Sequence, residues 1–111
     1  MNVKKVYASV STGLEAVGLS KVRVEVQDQT IRVLDLDTDF FYDVDDAEDG
    51  PGLTVTGVCD IADVSVTHVE NDAWALILAI VNQIARDRLD LHRDLGSRNL
   101  TTWSLIARVF S

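Results

Sequence analysis

The stretch 71–94 constrains the fold most, because it is the longest apolar run with helical periodicity in the chain. At about 100° per residue, its apolar side chains cover roughly half of a helical wheel, and polar residues fill most of the other half. Asn71 suits the N-cap, and Gly96 suits the position that follows the last turn. The apolar arc contains Trp74, Ile77, Leu78, Ile80, Val81, Ile84, Ala85, Leu89 and Leu91.

An arc this wide exceeds what a surface helix needs, and Leu76 adds an apolar side chain outside it. The width predicts either a core helix enclosed by a sheet and a second helix, or a helix that also contacts a partner subunit. We expect an oligomer interface that uses Leu76, Ile80 and Trp103.

The rest of the chain predicts one further helix and several strands. Apolar residues recur every three or four positions over 3–17, and Gly18 follows where a helix would end. Strict alternation predicts a strand at 21–27, and 30–37 is typical of the returning strand of a hairpin. Runs rich in β-branched residues at 53–58 and 64–69 predict two more strands. Residues 100–110 favour a strand, with a terminal helix capped by Asn99 or Thr101 as the alternative.

The fold class follows from this order of elements. The 111 residues form one domain, 1–111, with an acidic loop at about 38–52 that contains Gly50, Pro51 and Gly52. The order α-β-β-β-β-α-β predicts an α+β fold: an antiparallel sheet of about five strands with two helices packed on one face. The other sheet face is expected to be wet or paired to another subunit.

Charge is distributed unevenly along the chain, whose net charge is −8. Residues 35–72 contain twelve acids and no lysine or arginine, whereas 1–34 and 73–111 each carry a net charge of +2. This balance disfavours direct nucleic-acid binding, since lysine and arginine provide affinity for a polyanion. Aromatic residues among acids instead predict a docking surface for a partner with a basic surface. The predicted surface contains Asp35, Asp37, Asp39, Phe40, Tyr42, Asp43, Asp45, Asp46, Glu48 and Asp49.

A simpler interpretation keeps Phe40 and Tyr42 at one end of the core while the acids face water. Calcium binding is disfavoured, because an EF-hand loop starting at Asp35 has Phe40 where the turn requires glycine. A loop starting at Asp45 also lacks the required ligands. We therefore expect no metal site and no cofactor.

The candidate nucleophiles and general bases are few. Cys59, the only cysteine, has Asp60 beside it, which opposes thiolate formation. His68 and His92 show no metal-ligand spacing with Cys59 or with each other. We therefore predict no catalytic residue and no enzymatic activity. A signal peptide is not evident and no apolar run is long enough for a bilayer, so a cytoplasmic protein is expected, or a virion component.

The predicted element order resembles that of tail-terminator or neck proteins of long-tailed phages, which implies a ring-forming, non-catalytic component. The first half, in which Leu19 closes a helix before a hairpin, also resembles the small acidic chaperones of type III secretion, although the second half departs from their order. The first hypothesis is a self-associating interaction or assembly module. The alternatives are an acidic inhibitor or nucleic-acid mimic and a secretion-type chaperone.

Overall fold

The computed structural model describes residues 1–48, 50–65 and 69–96. These residues form a five-stranded antiparallel sheet, in which each strand pairs with the next one along the chain, and two helices that pack against the sheet. The predicted α+β class, with a sheet of about five strands and two helices, is confirmed. The elements are α1 (Val3–Ala16), β1 (Val22–Gln27), β2 (Thr30–Asp35), β3 (Phe41–Asp46), β4 (Leu53–Thr56), β5 (Ile61–Val64) and α2 (Val69–Gly96).

The order of elements differs from the prediction at β3, which lies inside the predicted acidic loop. Tyr42 and Val44 face the helices, whereas Phe41, Asp43 and Asp45 alternate with them on the opposite, open face of the sheet. The acids therefore do not interrupt the strand. The described order is α-β-β-β-β-β-α, and the predicted strand or helix at 100–110 lies outside the described residues.

Two further boundaries shift. The last strand of the sheet spans Ile61–Val64, so it begins three residues before the predicted strand at 64–69. Val69 already belongs to α2, and residues 66–68 lie outside the described residues. The second helix begins at Val69, two residues before the predicted Asn71 cap. The first helix ends as predicted: Gly18 has a φ of 73° and donates to the Glu15 carbonyl, and Leu19 donates to the Leu14 carbonyl. These two bonds form a Schellman motif.

The hydrophobic core lies between the helices and one face of the sheet. It forms because the strand alternation and the helical periodicity direct apolar side chains to the same layer. Each fully buried aliphatic side chain contributes roughly 1.5–3 kcal/mol. The fully buried core residues include Val6, Val10, Leu14, Ile31, Val33, Val44, Val55, Ile77, Ile80 and Ile84.

The long helix α2 is not a membrane-spanning candidate. Among the described residues, no helix combines the length and the apolarity needed to cross a bilayer.

Gly57 follows β4 at a point where the turn passes close to α2. Its N–H donates to the Asp60 carbonyl (2.8 Å), and a Cβ atom here would lie 2.9 Å from the Tyr42 ring and closer still to the buried amide of Gln83. We expect Gly57→Ala to lower the free energy of unfolding by about 1–3 kcal/mol, because two fixed side chains would have to move. Chemical denaturation measures this change. Val58→Ala, next to it and exposed, serves as the control and should change stability by less than about 0.5 kcal/mol. Equal effects of the two substitutions would contradict the steric explanation.

Candidate functional site

Asp35 lies in the interior and not on a surface. Its carboxylate is fully buried at the end of β2, where the Arg88 guanidinium of α2 donates two hydrogen bonds of 2.9 and 2.8 Å to its two oxygens. The backbone N–H of Asp37 (3.0 Å) and the Thr38 hydroxyl (3.1 Å) donate to the same carboxylate. Arg88 also donates to the Ser20 carbonyl (3.0 Å). This ion pair joins α2, the end of β2 and the segment before β1.

Burial by itself would raise the pKa of Asp35, since a low dielectric disfavours the charged form. The hydrogen bonds from Arg88 and from the Asp37 backbone outweigh burial, so the pKa lies below its ordinary value of 3.8. The same pair raises the pKa of Arg88, mainly through its hydrogen bond to Asp35. Both groups are held in their charged forms.

Tyr42 is also buried, contrary to its predicted place on a docking surface. Its hydroxyl donates to the Asp87 carboxylate (2.7 Å), and burial raises its pKa, with the Asp87 charge acting in the same direction. Asp37 is mostly covered by ion-pair contacts to Arg88 (3.6 Å) and Lys21 (3.5 Å). Phe40 packs half-buried against the core. The interpretation in which Phe40 and Tyr42 close one end of the core therefore fits better than the one that exposes them.

The open face of the sheet carries a second ion pair. Arg32 of β2 donates bonds of 2.8 and 3.0 Å to both oxygens of Asp43, its partner in β3. The same guanidinium lies 4.0 Å from the centre of the Phe41 ring, a cation–π distance. The Asp43 charge is therefore neutralised within the chain.

Four further acids, Asp45, Asp46, Glu48 and Asp63, line one end of the sheet. Between β3, β4, β5 and the β3–β4 connection lies a hollow of about 600 Å³, which we call the acidic hollow. Thr30 donates to Asp45, Thr54 donates to Asp63 (3.2 Å), and the Met1 amine lies 3.1 Å from Asp46. The acidic hollow is lined by Asp45, Asp46, Ala47, Glu48, Pro51, Leu53, Thr54, Thr56, Ile61, Asp63, Val64 and Ser65.

Only some of the predicted docking residues thus share one site. Asp45, Asp46 and Glu48 line the acidic hollow, whereas Asp39 is an exposed residue of the β2–β3 connection with a φ of 64°. Asp49 lies outside the described residues.

Two residues of the acidic hollow, Ile61 and Asp63, were not among the predicted docking residues. Their alternation with Ala62 and Val64 was a usable signal.

Two of the three residues predicted for an oligomer interface lie in the core and not on the surface. Leu76 and Ile80 are buried in the core of the chain, so they are unavailable to a partner, and Trp103 lies outside the described residues. The exposed large apolar residues of α2 are Trp74, Leu78 and Leu89. Trp74 borders an apolar groove of about 380 Å³ between the two helices.

The described residues contain no group of three or more histidine, cysteine, aspartate or glutamate side chains that could hold a metal ion. Cys59 is exposed in the β4–β5 turn, and Arg86 pairs with Asp60 beside it (2.6 Å). His92 is half-buried on α2, and His68 lies outside the described residues.

No protein-family model matches the chain, and neither curated proteins nor solved structures gave a match.

Removing Arg88 tests the ion pair. Arg88→Leu leaves the Asp35 carboxylate buried without its countercharge, and we expect a loss of about 3–5 kcal/mol in the free energy of unfolding. Arg93→Leu is the matched control, because Arg93 makes an exposed pair with Asp90 on the same helix and should change stability by less than about 1 kcal/mol. Urea denaturation of both variants measures the difference. Similar losses in the two variants would show that the buried pair has no special role.

Acid should act on the same pair. The pKa of Asp35 is lower in the folded chain than in the unfolded chain. Its contribution to the free energy of unfolding is therefore complete above the unfolded-state pKa of 3.8 and is lost as the pH falls through the folded-state pKa. We expect the stability of the native protein to decrease below about pH 4 more steeply than that of Asp35→Asn combined with Arg88→Leu. Denaturation curves at several pH values measure both slopes, with Asp90→Asn as the control. Identical slopes would exclude Asp35 from the acid transition.

Proposed function

We propose that this protein is a non-enzymatic binding module whose acidic hollow engages a basic segment of a partner protein. The observation that supports the proposal most directly is the position of Asp46, Glu48 and Asp63 around a concave surface beside Ile61. The Ile61 side chain is 65% exposed, the largest fraction among the exposed large apolar residues of the described chain.

The electrostatics of the hollow favour a cationic partner. None of the residues that line it is a lysine or an arginine, and Arg32, on the nearby open face, is bound to Asp43. Carboxylates that face a common hollow produce a negative potential, which attracts basic groups and accelerates their association. Attraction of this kind acts over about 8 Å at physiological ionic strength, so binding should weaken as salt increases.

The hollow also offers more than charge. Ile61 supplies an apolar contact, and the hydroxyls of Thr54 and Thr56 supply hydrogen-bonding groups between the carboxylates. Protein interfaces commonly combine a buried apolar anchor with a polar and charged rim. A partner segment that alternates basic and apolar residues matches this arrangement best.

The exposure of these carboxylates favours binding over catalysis. General acid and base chemistry uses carboxyl groups whose pKa values are separated by burial. Asp46, Glu48 and Asp63 are exposed to solvent. The buried acids, Asp35 and Asp87, are occupied by Arg88 and Tyr42 and lie in the interior rather than in the hollow.

A direct test uses a fluorescently labelled peptide that alternates lysine and leucine, with its binding followed by fluorescence anisotropy. We expect the combined variant Asp63→Asn and Glu48→Gln to bind it about tenfold more weakly, equivalent to roughly 1.4 kcal/mol. High salt should weaken binding of the native protein by a larger factor than binding of this variant.

The matched control is Glu15→Gln combined with Asp39→Asn, which removes the same net charge at two exposed sites that do not line the hollow. This control should keep most of the native affinity. If both double variants lose affinity equally, the net charge of the chain and not the hollow attracts the peptide. Binding that does not respond to salt would contradict the proposal as well.

A further inference from the structure

The strand β1 lies at one edge of the sheet, since within the described part of the chain its only strand neighbour is β2. We propose that two copies of the protein associate by antiparallel pairing of their β1 edges, which joins the two sheets into one of ten strands. This surface is independent of the acidic hollow, which is formed by β3, β4 and β5.

The hairpin geometry shows which backbone groups point outward. Asp28 and Gln29 connect β1 and β2, so Gln27 and Thr30 close a two-residue turn as a hydrogen-bonded pair. Such pairs alternate along an antiparallel ladder, which makes Glu25 and Arg23 hydrogen-bonded to β2 as well.

The bond from the Leu36 N–H to the Lys21 carbonyl (2.8 Å) agrees with this alternation. The N–H and C=O groups of the intervening valines therefore point to the open edge. These are Val22, Val24 and Val26.

The side-chain sequence of β1 is complementary to itself in the antiparallel direction. If Val24 lies opposite Val24 of a second copy, Val22 lies opposite Val26, and these outward groups form six backbone hydrogen bonds across the edge. In the same register Arg23 lies opposite Glu25 of the second copy. That position is a non-hydrogen-bonded pair, in which side chains approach most closely.

The charges also exclude neighbouring registers. A shift of two residues in either direction places Glu25 opposite Glu25 or Arg23 opposite Arg23, which is unfavourable. A shift of one residue exchanges the two faces of the second sheet. Within one chain, Arg23 contacts Glu25 at 2.9 Å, and their side chains are 60% and 37% exposed. Pairing two copies places these four charges in an alternating square.

The helix layer accommodates the joined sheet. The helix α1 contacts both β1 and β2, so it lies above the junction of these strands. With strands about 4.8 Å apart, two paired copies place their α1 helices about 10 Å from each other, an ordinary packing distance for helices. Val26 faces the helix side and is 46% exposed in the single chain, and the register above covers it with Val22 of the second copy.

The opposite edge of the sheet lacks these properties. The strand β5 has four residues, Ile61–Val64, and carries a single charge, Asp63. Antiparallel pairing of two copies along this edge offers no opposite charge for Asp63 in any register. The six-residue β1, which has no proline, is therefore the better edge for self-association.

Sedimentation velocity of two charge variants tests this register. Arg23→Glu creates four negative charges in the square and Glu25→Arg four positive charges, so each variant alone should be monomeric at concentrations at which the native protein is a dimer. Mixing the two variants places a negative strand opposite a positive one, so each cross-strand pair again joins opposite charges, and we expect a heterodimer whose dissociation constant lies within about tenfold of the native one. A merely structural role of the Arg23–Glu25 pair would not produce recovery on mixing.

A second variant separates association from folding. Val24→Pro removes an N–H that points to the open edge and leaves the β1–β2 bonds in place, so we expect a folded monomer by circular dichroism and sedimentation. A monomeric native protein across the accessible concentration range would overturn the proposal, as would absence of a heterodimer in the mixture. The basic peptide should still bind to monomeric Val24→Pro, which makes failure here distinguishable from failure of the acidic hollow.

Discussion

The ion pair between Asp35 and Arg88 fixes where α2 lies on the sheet, because it joins β2 to a helix residue 53 positions later in the sequence. A buried carboxylate without a countercharge is strongly destabilising, so the position of Arg88 on α2 follows from the position of Asp35 on β2. The neighbouring residue of α2, Asp87, accepts the hydrogen bond from Tyr42 of β3. Two consecutive helix residues thus contact two adjacent strands. A helix attached only by aliphatic contacts could slide or rotate, whereas these polar contacts specify one position.

The acids of this chain consequently serve two purposes that composition cannot separate. Asp35, Asp37 and Asp43 receive arginines from other elements and hold the fold together. Asp46, Glu48 and Asp63 have no lysine or arginine among the residues around them in the hollow, and they give this end of the sheet its negative potential. Among the described residues, this acidic block therefore contains both acids that pair with arginine and acids that face solvent.

The predictable parts of the fold are those whose signal is local. The valines of β1 alternate strictly, Gly18 marks the end of α1, and the apolar arc of α2 is visible without any partner. The strand β3 was not predicted because a run of acids is typical of a loop. In the structure Arg32 and Thr30 lie opposite these acids on β2 and bind them. Asp35 and Asp45 look equivalent in the sequence. What distinguishes them is the residue opposite each one in space, and Arg88 is 53 positions away from Asp35.

The meander has a kinetic consequence. Each strand pairs with its sequence neighbour, so the sheet needs only short loop closures, and contacts of low sequence separation generally form fast. The helix α2 covers β4 and β5, and it follows all five strands in the sequence. During synthesis the strands therefore emerge before the helix that completes the core and neutralises Asp35. Until that helix docks, an apolar sheet face and a charged carboxylate remain in contact with water, and this interval is when a chaperone would act.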